Sequence, residues 1–154
     1  MTDNDLRELY QEVILDHGKN PRNLRKLESP TCMADGNNPL CGDRLTVYLK
    51  INGQQLIEDA AFEGRGCAIS IASASMMTEI IQGKRLSQVR QLFDQFQKLC
   101  TGVEDNSGQP SDDDFEKLQV LSGVRQFPMR VKCATLGWHA MDAALAGDNK
   151  SSTE

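Results

Sequence analysis

The chain has 154 residues, 25 % of them charged, with a formal net charge of −5. That length suits one domain around a single core, and the acidic balance argues against a nucleic-acid partner, which needs a basic face. No apolar run approaches the length that crosses a bilayer, and the acidic, amphipathic start MTDNDLRELYQEV reads as neither a secretory signal nor a transit peptide, so no membrane partner is expected and the cytoplasm is the expected location.

Leu6, Leu9, Tyr10, Val13 and Ile14 share one helical face, and Gly18 and Pro21 stop that helix. A local basic group follows (Lys19, Arg22, Arg25, Lys26), read as a solvated surface or a docking patch. The next stretch, LESPTCMADGNNPLCGD, is rich in turn formers and reads as irregular. From Leu45 the period changes to two, with Leu45, Val47, Leu49 and Ile51 on one face. Asn52-Gly53 signals a type I′ hairpin, followed by a strand within Gln54–Ala60 and a third around Ala61–Glu63.

The stretch after Cys67, AISIASASMMTEIIQG, reads as a helix ended by Gly83. Leu86, Val89, Leu92, Phe93, Phe96 and Leu99 mark another. TGVEDNSGQPSDDD is a polar loop, mobile by composition, and a shorter helix is expected over about Asp113–Ser122. QFPMRVK reads as extended around Pro128, with a last helix from about Cys133 to Ala146. The expected fold class is therefore α+β, a small antiparallel three-stranded sheet packed against a set of helices. It forms a single domain, 1–146, followed by a flexible polar tail, 147–154.

The five cysteines, with no export signal, speak against a disulfide framework, and the absence of a CxxC pair speaks against a zinc ribbon. Cys67 and Cys133 stand at expected helix starts, where unpaired N–H groups and the dipole favour a thiolate. Cys41 ends the loop, one glycine away from Asp43. Each of the three could equally be a buried small side chain. Converging at one end of the domain, they would instead form with Asp43 a four-ligand set that zinc accepts. Cys32 and Cys100 read as bystanders. Three thiolates, a carboxylate and a divalent ion leave a charge of −2, which Arg130 and Lys132 beside Cys133 could offset, unless they form a plain exposed strand.

Gly64 and Gly66 of EGRGC could cradle an anion, but a lone GxG is weak evidence, and close backbone approach to a metal is the better reading. His17 and His139 read as surface or core-edge residues; His139, six residues after Cys133, turns away from that thiol.

LYQEVILDHGKNPRN, NNPLCGD, FEGRGCAISIASASMMTE and FPMRVKCATLGWHA resemble the U-type iron–sulfur cluster assembly scaffold family (NifU N-terminal and IscU-like) over about Leu6 to Ala146. The resemblance is greatest to its SufU-type, zinc-dependent sulfurtransferase branch. Lys132 stands where the wider family has a histidine before the third cysteine, and the connection before that motif is longer, as in that branch. The resemblance implies zinc held by Cys41, Asp43, Cys67 and Cys133. It also implies persulfide sulfur taken from a pyridoxal-phosphate cysteine desulfurase and passed to downstream cluster-assembly proteins. Cys41, on the loop beside Gly42, is the expected sulfur acceptor. Two alternatives stay open: a scaffold holding iron or a transient [2Fe–2S] cluster, and a structural zinc module without sulfur chemistry.

Overall fold

The computed structural model describes residues 3–39, 42–102, 117–147 and 150–152. Helix α1 spans Asp3–Lys19, and β1 (Cys32–Asn38), β2 (Asp43–Ile51) and β3 (Ile57–Arg65) follow. Helices α2 (Ala68–Ile81) and α3 (Leu86–Thr101) come next. A 3₁₀ segment, Gln119–Gln126, leads into α4 (Pro128–Leu145), and β4 (Lys150–Ser152) closes the order. The sheet order is β3-β2-β1-β4. β1, β2 and β3 form the expected antiparallel three-stranded unit. Within the stretch expected to be a polar tail, β4 pairs in parallel with β1.

The strands differ from the expectation in three places. CMADGNN, read as irregular, is β1, because pairing with β2 along its whole length outweighs its weak strand propensity. Its inward residues Ala34 and Gly36 are small, which lets α4 lie close: a Cβ on Gly36 would stand 3.1 Å from the Ala140 Cβ. The two strands expected over Gln54–Ala60 and Ala61–Glu63 are one, β3. The turn before it spans residues 52–56 rather than two, with positive φ at Gln55 (63°). The Asn52 Oδ1 accepts the N–H groups of Gln54 and Leu56 there, so the side chain caps a wider turn.

The helices begin and end on recognisable signals. Cys67 is the N-cap of α2, and Gly102 (φ 79°) ends α3 by donating its N–H to the Lys98 carbonyl. Two expectations fail in the last third. The described part of the segment expected to be helical over Asp113–Ser122 passes into the 3₁₀ turns and runs beyond Gly123, while residues 103–116 lie outside the described residues. The FPMRVK stretch is not extended; α4 starts at Pro128, since proline fits the first helical turn, where its missing N–H goes unused.

The core lies between the sheet and the helices, around Leu45, Leu49, Phe62, Met77, Phe96, Leu136 and Trp138, all fully buried. Val13 and Ile14 of α1 pack against it. The Trp138 indole N–H donates to the Ser73 Oγ at 3.2 Å, and the Ser73 hydroxyl donates to the Ala134 carbonyl at 2.5 Å, so α2 and α4 are tied by buried polar contacts. Gly137 brings these helices together, with Ala74 Cβ 3.1 Å from where its own Cβ would be. Of the basic group, Arg22 pairs with Asp16 and Arg25 with Asp59. Among the described residues no helix is long and apolar enough to cross a membrane.

Gly36→Val would drive a branched side chain into Leu136 and Ala140, and overpacking of this kind costs about 1–3 kcal/mol. We expect a lower urea midpoint at an unchanged slope, checked by equilibrium unfolding followed by circular dichroism.

Candidate metal centre

Three elements meet at one place. Asp43 opens β2 and faces Asn38 across the β1–β2 pair. The turn between them closes by a hydrogen bond from the Gly42 N–H to the Asn38 carbonyl, 2.9 Å. Cys67 stands between β3 and α2 with an extended backbone (φ −69°, ψ 168°). Cys133 projects from α4 and is fully buried. One ligand atom each from Asp43, Cys67 and Cys133 lies within 4.8 Å of the other two.

Asp43 is only 3 % exposed. Its Oδ1 accepts the Cys67 N–H at 3.1 Å, an N–H at the start of α2 that has no partner within the helix. The other oxygen, Oδ2, is buried and has no hydrogen-bond partner among the described residues. An unpaired buried carboxylate oxygen is strongly unfavourable unless a cation meets it. A tetrahedral zinc ion, with bonds of about 2.3 Å to sulfur and about 2.0 Å to oxygen, keeps its ligand atoms roughly 3.3–3.8 Å apart. The three groups need draw together only slightly to hold one. Two thiolates and a carboxylate also suit zinc better than a hard oxygen-seeking ion.

The glycines of EGRGC permit this geometry. At Gly66 an added Cβ would stand 3.2 Å from the Asp43 Cγ and Oδ1, and at Gly64 (φ 135°) it would run into the Arg44 carbonyl. The backbone thus passes close to the Asp43 carboxylate at Gly66 and to the neighbouring strand at Gly64. Ser70 donates its hydroxyl to the Cys67 carbonyl at 3.0 Å and lies 3.7 Å from the Cys67 sulfur.

Cys133 departs from the sequence reading. It lies five residues after Pro128, the first residue of α4, so the helix-start argument for its thiolate does not apply. What meets its sulfur instead is the Asn38 Nδ2, at 3.8 Å. Asn38 was not singled out from sequence; as one of several polar residues ahead of Pro39, it looked like turn chemistry. Cys41 lies outside the described residues. Arg130 is exposed and Lys132 half-buried, and neither forms a hydrogen bond or ion pair with Asp43 or Cys67 among the described residues.

The bystander cysteines behave as expected. Burial pushes the Cys32 thiol up, and it pushes Cys100 up to about 12, so both stay protonated at neutral pH. Burial also lowers the pKa of His17 and His139. His17 shares a hydrogen bond with the Ser75 Oγ (2.7 Å), and His139 packs against the edge of Phe93. Both are core-edge residues.

A family model of the NifU-like N-terminal domain matches residues 9–134. The chain belongs to that family. Among curated relatives, the zinc-dependent sulfurtransferase SufU of Bacillus subtilis (strain 168) is 43 % identical over 142 residues, 92 % of each chain. The iron–sulfur cluster assembly scaffold protein IscU of Streptococcus pyogenes serotype M1 is 38 % identical over 140 residues, 91 % of this chain and 84 % of that one. The solved structure of FiSufU from Fervidobacterium islandicum AW-1 superposes with a TM-score of 0.80 at 32 % identity, covering 90 % of this chain and 98 % of that one. The resemblance noted in the sequence is thus borne out, as is the α+β class.

Metal analysis of the purified protein should find about one zinc per chain. Cys133→Ser and Asp43→Ala should lose most of it, whereas Cys32→Ser and Cys100→Ser should keep it; equal loss in all four would remove the centre.

Proposed function

We propose that the chain acts in iron–sulfur cluster assembly as a zinc-dependent sulfur acceptor, with Asp43, Cys67, Cys133 and Cys41 as ligands and Cys41 as the acceptor. The observation that carries this reading is the gathering of Asp43, Cys67 and Cys133 within 4.8 Å, with the Asp43 Oδ2 buried and unpaired. Cys41 follows two residues before Asp43 in the sequence, in the connection between β1 and β2. The 43 % identity to a zinc-dependent sulfurtransferase supports the metal and the chemistry together.

Bound zinc would hold its cysteine ligands as thiolates at neutral pH and shield them from oxidation. The remaining chemistry belongs to the chain. The Cys41 thiolate attacks the outer sulfur of a persulfide on the cysteine desulfurase; a new S–S bond forms on Cys41, and the desulfurase cysteine leaves as a thiolate. Electrons balance without an added oxidant, because one S–S bond replaces another. Asp43 and Cys67, joined through the Oδ1 to N–H bond, keep the centre assembled while Cys41 reacts. Arg130 and Lys132 lie on the first turns of α4 and would offset charge at the partner's approach. Downstream cluster-assembly proteins receive the sulfur.

A second reading, a scaffold on which a [2Fe–2S] cluster forms with iron in place of zinc, is supported by the 38 % identity to an IscU scaffold. Lys132 counts against it, since lysine is a poor cluster ligand at neutral pH.

With a pyridoxal-phosphate cysteine desulfurase and radiolabelled cysteine, the protein should take up label. Cys41→Ala should remain folded and take up roughly tenfold less or lower still. Undiminished uptake would reject the role of Cys41, and a stable transferable cluster after anaerobic reconstitution would favour the scaffold reading.

A further inference from the structure

Asn38 is fully buried, yet only one end of its amide is engaged. Its Nδ2 donates to the Cys133 Sγ at 3.8 Å, while its Oδ1 has no hydrogen-bond partner among the described residues. A buried carbonyl left unpaired opposes folding, and an apolar side chain of similar shape would serve the core better. The residue also sits directly across from Asp43, so its amide lies at the margin of the cluster formed by Asp43, Cys67 and Cys133. A metal-bound thiolate would favour this orientation, because turning the amide over would set an acceptor oxygen against it.

We infer that Asn38 is a positioning residue of the centre: its N–H···S contact holds the Cys133 thiolate turned toward the ion, raising metal affinity and keeping that sulfur out of the transfer chemistry. The inference rests on the zinc reading given above. Groups that hydrogen-bond a metal ligand orient it and tune the ion. The charge of the centre makes such a donor valuable. Three thiolates and a carboxylate around a divalent ion leave −2, while Arg130 is exposed and Lys132 only half-buried. An amide N–H supplies positive potential without adding a buried charge. A thiolate that accepts a hydrogen bond is also a weaker nucleophile, so a centre with several cysteines directs its reactivity to another one.

The decisive variant is Asn38→Leu, which keeps the branched shape and removes both the donor and the unpaired carbonyl; Asn38→Ala, which adds no bulk, serves as the second. Chelator competition should show zinc affinity lower by roughly ten- to hundred-fold. In the cobalt-substituted protein the sulfur-to-cobalt charge-transfer band should move to longer wavelength. The metal-free melting temperature of Asn38→Leu should stay level or rise, opposite to what a structural asparagine would give. Unchanged affinity and an unmoved band overturn the inference, as does failure of both variants to fold. Wild type and Cys133→Ser belong in the same titration. A wild type that binds no metal ends the zinc reading and this inference with it. A wild type that binds zinc no more tightly than Asn38→Leu ends this inference alone.

Discussion

The hydrogen bond from the Cys67 N–H to the Asp43 Oδ1 joins the first residue of a strand to the cap of a helix. It answers two needs at once: the helix start has an N–H without an internal partner, and the buried carboxylate has charge to share. Because one oxygen is fixed there, the other is held in the interior with no partner among the described residues. The remainder of the centre follows from that orientation. A carboxylate free to turn toward solvent would leave the two sulfurs without their oxygen companion.

Small residues make the convergence possible. Gly36 admits α4 against β1, Gly137 admits α2 against α4, and Gly64 and Gly66 let the chain pass beneath Asp43 on its way from sheet to helix. Side chains at these points would push apart the elements that carry Cys67, Cys133 and Asp43. The core around Trp138 and Phe96 then holds the helices in place, so metal geometry and core packing are parts of one constraint.

Much of this was legible in the sequence, where a local signal and its tertiary setting agreed. The alternation from Leu45 to Ile51 is β2, and Gly83, expected to end α2, stands just past its last turn in the left-handed conformation (φ 83°). Cys67 could be placed because a glycine-rich strand end followed by small residues marks a helix start. β1 could not, since Asp35, Gly36, Asn37 and Asn38 are turn formers that become a strand only through pairing with β2. Pro128 misled for a related reason: the same ring that disfavours a helix interior suits its first turn. Asn38 was invisible because nothing along the chain separates a buried amide from one in a turn. Asp43 and the two cysteines could be named individually, but their meeting depends on the strand that was missed, which delivers the hairpin end to the helices.

The Ser73 bridge between Trp138 and the Ala134 carbonyl lies on the two helices that bear the cysteines, Ala134 being the residue after Cys133. It clamps α2 to α4 at the residue next to Cys133. The two sulfurs are therefore carried by a braced helix pair, whereas the oxygen arrives from the end of a hairpin. Drawing the three ligand atoms from within 4.8 Å of one another to tetrahedral spacing then falls to the hairpin end and the side-chain torsions, with the helix pair left as it stands.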